Sequence, residues 1–338
     1  MNIIFSLAIS FFCHPAEAYR NPVDWPFSVE SPWNTPIGNG AIYQEVSDLC
    51  TRSLISEASK AWINSAEWSH PIYHASNNDP IVPIVRVESA KYVGFTQADV
   101  DKEGVEQIRI HIPVHVKPAM PLDTQTLATD AHLHIIDPTG RWLDEMWRAF
   151  PRKSGGWNVG HYNRTDLYGP GVLAGGVRAY GGSAIGGLIR SGELAKGIPH
   201  ALAIAQPSSH LWPGGPVWPA NVMDDGAEKN YKGHYPMGQL AAIPPNINLL
   251  HLNPPLSPQG LAIGRAMQDY GVYNVDSGGS VVYAEATVEK ELGQAREDVP
   301  RLWALLRCVK NNSPASVGGG GSVRRAPLAP VLPPLPLP

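Results

Sequence analysis

Glycine and proline interrupt this chain so often that long helices are excluded: 33 of each occur in 338 residues, about a fifth of the sequence together. Proline removes a backbone donor and fixes φ, and glycine costs entropy inside any regular element. A chain broken this frequently is built from short strands joined by turns. Its hydrophobic content of 43% is enough for a sizeable core, while charged residues contribute only 17%. A net charge of −4 gives no basic footprint for nucleic acid. No apolar run approaches the roughly 20 residues of a membrane-spanning helix.

The two ends differ from the middle. Residues 3–12 are apolar and Ala16-Glu17-Ala18 is an A-x-A site, so residues 1–18 are expected to be a signal peptide and the protein to be secreted, extracellular or periplasmic. Cys13 falls inside that leader. Cys50 and Cys308 then remain, either as one disulfide in an oxidising compartment or as two buried thiols. The glycines at 318–321 and the Pro-Leu run behind them predict a disordered tail over 313–338. Residues 19–312 contain no linker and no solenoid-period repeat, which predicts one β-rich domain.

Helices are expected over 48–62, over 257–270 between a Ser257 N-cap and Gly271, over 299–309, and more weakly over 183–195. Strands are clearer. From 108 to 116, Ile108, Ile110, Ile112, Val114 and Val116 alternate with Arg109, His111 and His115, the pattern of a half-buried strand. Segments 200–206 and 280–285 read similarly. The fold class expected is mostly β (α+β), an antiparallel β-sandwich or jelly-roll-like domain with three or four short helices.

The segment 130–150 concentrates chemistry. Asp137-Pro138-Thr139-Gly140 suits a type I turn closed by a left-handed glycine, a three-residue hairpin loop pairing Asp137 with Arg141. That register places His134 opposite Asp144, His132 opposite Met146 and Asp130 opposite Arg148. One face then carries Asp130, His132, His134, Trp142, Asp144 and Arg148, and the other is apolar. A one-residue slip would reverse the assignment. A carboxylate opposite an imidazole raises its pKa and fixes its tautomer, as a general acid or base requires. Asp144 and Glu145 cannot act together, because neighbours on a strand face opposite ways. Asp130-x-His132-x-His134 also reads as a metal-binding strand, similar to the Asp-x-His-x-His strand of amidohydrolases.

Residues 155–190 are rich in glycine and aromatic side chains and read as a long surface excursion. Trp157, Tyr162, Tyr168 and Tyr180 could stack on sugar rings, Arg178 could hold a carboxylate bidentately, and Tyr180 or His161 could move a proton. No dinucleotide loop and no nucleophile elbow accompany them. Asp269 and Asp276 read as turn residues.

At Ser31-Pro32-Trp33-Asn34-Thr35-Pro36-Ile37-Gly38, at 130–138, at 178–190 and at 268–273, the chain resembles a group of exported bacterial proteins without an assigned activity. The resemblance spans most of 26–290. It implies export and a single domain and transfers no mechanism. A fold-level analogy to β-sandwich polysaccharide-degrading enzymes supplies the functional expectation.

That expectation is a secreted carbohydrate-active enzyme without a cofactor, acting on an extracellular polysaccharide. As a polysaccharide lyase it would use His134 held by Asp144, Arg178 on a uronate, and Tyr180 as acid. His132, Trp142, Arg148, Trp157, His161 and Tyr168 would bind substrate. A glycoside hydrolase would need two carboxylates instead. The alternatives are a non-catalytic glycan-binding or cell-surface filament protein, and a metal-dependent hydrolase using Asp130, His132 and His134.

Overall fold

A computed structural model describes residues 19–66, 68–88, 102–119 and 130–335. The expected leader, with Cys13, lies outside these residues. The chain is a mixed α/β protein in which strands dominate, arranged in three sheets that do not close. Among the described residues no helix is long and apolar enough to cross a membrane.

The largest sheet has six strands in the order β1 (Trp62–Asn64), β13 (Val281–Tyr283), β10 (Leu202–Gln206), β12 (Val272–Ser277), β11 (Leu240–Ala242) and β14 (Arg307–Cys308). A second sheet orders β2 (Ile72–His74), β5 (Leu133–Ile136), β6 (Trp142–Trp147) and β9 (His161–Asp166). The third orders β4 (Val105–His111), β3 (Ile81–Arg86), β8 (Trp157–Val159) and β7 (Phe150–Pro151). Antiparallel pairing throughout, as a sandwich or jelly roll would have, does not form. Each sheet includes a parallel pairing: β1 with β13 and β10 with β12, β2 with β5, and β3 with β8.

The reason lies in which faces are covered. Every residue of β10 and β13 is buried, as strands covered on both faces must be. Helices α4 (Pro258–Asp269) and α5 (Ala295–Trp303) pack beside this sheet, and their side chains join its core. Trp33 from the N-terminal segment also enters, its ring edge-on to Tyr273 at 5.4 Å and to Tyr180 at 6.1 Å. A second core, with Ile84, Ile110, Leu133, Ile135, Met146 and Val159, lies between the two four-stranded sheets.

The capped helix forms as expected: the Ser257 hydroxyl accepts from Gly260 N–H at 2.9 Å, and Gly271 takes φ +82° just beyond the C-cap. Segment 48–62 shortens to α1 (Leu49–Ile55), a 3₁₀ turn and β1. Of 299–309, only the first half is helical, and Arg307–Cys308 is a strand. Residues 183–195 form tight buried turns with α2 (Glu193–Lys196) at their end, while α3 (Ala227–Asn230) is a single turn further on. Gly187 shows why a helix fails there: its φ is +73°, and a Cβ would stand 2.4 Å from Ala203 N. Strand β4 keeps the Ile108/Ile110 alternation but ends at His111, before Pro113.

Residues 313–335 correct the expectation of a disordered tail. Gly38 and Gly40 donate to the carbonyls of Gly318 and Gly320 at 3.0 Å each, and Asn39 donates to Ser322 at 2.8 Å. Arg325 then binds Asp269 and Gln268, and Arg20 bonds the carbonyls of Pro330 and Val331. Composition alone does not reveal this strap, because its partners are backbone groups and an arginine from remote segments. Cys50 and Cys308 form the disulfide, joining α1 to β14.

Candidate functional site

The hairpin of β5 and β6 forms, with its register shifted by one. Asp137 N–H donates to Trp142 O at 2.8 Å, and the Asp137 carboxylate accepts from the N–H groups of Arg141 and Trp142 at 3.1 and 3.0 Å. That carboxylate keeps Arg141 inside the loop, so four residues connect the strands instead of three. Leu133 then pairs with Met146, His134 with Glu145, and Ile135 with Asp144. The His134–Asp144 pair expected from sequence does not exist. Asp144 turns to the other face, where it accepts from the Tyr162 hydroxyl at 2.6 Å and from Arg164 at 3.1 Å.

His132 and His134 do share a face, as alternation requires. They meet His70, which precedes β2 and was not singled out in the sequence. His134 N–H donates to Pro71 O at 3.1 Å, so the parallel pairing of β2 and β5 carries His70 in. Nothing local marks His70: its partners lie more than sixty positions away. One ring nitrogen of each histidine lies within 4.8 Å of the others. His70 Nδ1 and His134 Nε2 are 2.8 Å apart, and the exposures are 0%, 2% and 0% for His70, His132 and His134. Burial holds all three well below the ordinary histidine pKa, and the nearby Arg178 cation adds to the effect. All three rings are therefore neutral at neutral pH, the form that ligates metals.

The cluster sits at the seam between the largest sheet and the hairpin sheet. Tyr283 of β13 packs edge-on to His70 at 5.7 Å. The Arg178 guanidinium lies 3.6 Å from the Tyr283 ring centre and contacts Asp276 Oδ2 at 3.1 Å. Its Nε and Nη2 are sealed from solvent with the Tyr283 side chain as a second partner, and His132 Nδ1 is without a partner. Asp276, read from sequence as a turn residue, belongs to β12. Burial lifts its carboxyl to about 7, with Arg178 pulling it back and Asp224 and Asp130 pushing it further up.

His132 and Arg178 open onto a cleft of about 890 Å³ lined also by Asp130, Trp147, His161, Tyr162, Asp224, Asp225 and Asp276. Asp130 Oδ2 is 3.8 Å from His132 Nε2, and Asp130 Oδ1 accepts from the Trp147 indole at 2.9 Å. Residues 175–181 of the glycine-rich segment form one wall. The rest of that segment corrects the surface-loop expectation: 180–189 are buried.

Several expected site residues lie elsewhere. Tyr180 is fully buried and donates to the carbonyls of Gly171 and Ser183 at 3.2 and 3.0 Å. Trp142 stacks under Arg141 and Arg164 on the far face, Trp157 packs against the second core, and Tyr168 follows β9 with its N–H on Asp166. Arg148 is buried beside Asp130, whose carbonyl accepts its N–H at 2.7 Å. Among protein families, curated proteins and solved structures, no match to this chain is found.

Proposed function

We propose that the chain is a metal-dependent hydrolase whose divalent ion is held by His70, His132 and His134. The observation that carries the reading is the convergence of three buried, neutral imidazoles beside a large cleft. Three nitrogen ligands with one position left for water is the pattern of catalytic rather than structural zinc. Imidazole also suits copper, nickel and cobalt. Shared ligation by His70 and His134 would replace their mutual 2.8 Å contact with bonds to the ion.

A divalent ion held by His70, His132 and His134 would supply a water acidified toward neutrality. Around it the chain has a division of labour. Arg178, stacked on the Tyr283 ring and paired with Asp276, places a buried positive charge beside the cleft that would favour negative charge developing on a substrate. Asp130, on the cleft side of His132, receives the proton. The Cys50–Cys308 disulfide and the Ala16-Glu17-Ala18 site support work in an oxidising compartment outside the cytoplasm.

Metal analysis of the purified full chain after dialysis tests this. About one equivalent of a divalent transition metal per chain is expected, falling to background in the His70→Ala/His134→Ala double variant. No retained metal, or full retention in the double variant, overturns the reading. The half-buried Trp147 in the lining of the cleft favours a second reading, non-catalytic glycan binding. Its signature is glycan affinity in the double variant equal to that of the parent.

A further inference from the structure

Residues 190–199 wall one side of a second cavity, of about 850 Å³, that shares no lining residue with the cleft. Facing them are Ala262, Arg265 and Asp269, which share one side of α4 by their spacing of three and four. Arg325 to Pro327 of the strap form a third side.

The wall contains little regular structure, since α2 is a single turn, so side chains hold it. The Ser191 hydroxyl and Gly192 N–H both donate to the Glu291 carboxylate, at 2.7 and 2.8 Å. Arg190 Nε donates to Glu285 at 2.7 Å. The third anchor is Glu193, whose carboxylate accepts from Arg190 N–H at 2.7 Å and faces His200 Nε2 at 3.1 and 3.2 Å. Of the three, it alone rests on an imidazole, the side chain that changes charge near neutrality.

His200 meets an acceptor on each side of its ring. Nδ1 lies 2.9 Å from Ala201 O, and Nε2 lies against the Glu193 carboxylate. A neutral ring has one N–H and serves one of these; an imidazolium serves both. The side chain is 8% exposed, which leaves water little room to replace a missing donor. Among the described residues, the charged groups that face it are Glu193 and Arg190. Elsewhere around it Trp25, Trp33, Asn34 and Leu188 carry no charge. Burial pulls the pKa of His200 down, and the Glu193 charge with the two hydrogen bonds outweighs that, leaving it above 6.5.

We propose that His200 and Glu193 form a pH-released clasp on the second cavity: the doubly protonated ring pins the 190–199 wall, and the deprotonated ring lets one acceptor go and loosens it. The clasp lends its full stability below the unfolded value of 6.5 and loses it as pH rises through the higher folded value.

The wall carries its own reporter in Lys196, which is exposed and followed by Gly197. A lysine-specific protease acting on the full chain should cut after Lys196 faster at pH 9 than at pH 6, by about tenfold, relative to a short peptide of the same sequence. That is the gain in opening which loss of one charge-assisted hydrogen bond permits. In Glu193→Gln and in His200→Gln, cutting should be fast at both pH values and the ratio close to unity. Titration of the ring by NMR, assigned from His200→Gln, gives an independent reading: the parent ring should hold its proton beyond pH 6.5, and the Glu193→Gln ring should lose it below. A ring already neutral at pH 6, a titration that Glu193→Gln leaves in place, or a parent cleavage ratio close to unity overturns the proposal. Should a variant fail to fold, the titration and the cleavage ratio of the parent still decide it.

Discussion

Asp144 and Glu145 are consecutive, both fully buried, and on opposite faces of β6. On one face Asp144 meets a cation and a phenol: Arg164 at 3.1 Å and Tyr162 at 2.6 Å. On the other, Glu145 accepts from the Ser183 hydroxyl and from Ala184 N–H at 3.1 Å, with the Val177 backbone and the Thr165 side chain as further donors. Burial raises both carboxyls. For Asp144 the phenol and the guanidinium pull back; for Glu145 hydrogen bonds from Ser183, Ala184, Val177 and Thr165 pull back, and the carboxyl still reaches about 7. The face of Glu145 is the one turned toward the histidine cluster, since Glu145 pairs with His134. A strand that carries a neutralised carboxylate outward and a titratable one inward separates holding the fold from tuning the site.

The largest effect that would break this comparison comes from Asp144→Ala. It strands the Tyr162 hydroxyl and Arg164 together, and a loss of about 3 kcal/mol in unfolding free energy is expected. Chemical denaturation measures it, and a loss as small as that of a surface substitution would show that Asp144 is no clamp. Next comes pH. A raised folded-state pKa means the folded chain holds the Glu145 proton more tightly than the unfolded chain does. The stability it lends is complete below the unfolded value near 4.5 and vanishes as pH climbs through about 7. The parent Tm should therefore fall by about 2 °C between pH 6 and pH 8.5 relative to Glu145→Gln. Parallel pH profiles would remove the contrast between the two faces. The smallest change is Tyr162→Phe, which deletes one of the partners of Asp144 and should cost about 1 kcal/mol in the same denaturation experiment.

The sequence makes the hairpin legible but not its register. Asp137-Pro138-Thr139-Gly140 announces the turn, and Gly140 does take φ +73°. What the motif does not reveal is that the Asp137 side chain captures two N–H groups and lengthens the loop by one residue. That single residue moves Asp144 away from His134. Alternation correctly keeps His132 and His134 together, since period-two geometry is local. His70 and Asp276 reach the site through pairings between distant strands, which periodicity cannot encode. In the glycine-rich segment, glycine density does signal close packing. Whether that packing lies outside or inside depends on Trp33 and Tyr273, neither of which is near in sequence.

The strap has a consequence for how the chain reaches its native state. Arg20 and Pro330 are bonded across 310 positions, among the most distant contacts a chain of this length can make. Loop-closure entropy and high contact order both make such a contact a late event. Until residues 318–331 are available, the backbone N–H groups of Gly38 and Gly40 and the guanidinium of Arg20 lack their partners. The strap therefore closes over the N-terminal segment only after residues 318–331 are in place, so the backbone bonds of Gly38 and Gly40 belong to the last contacts to form.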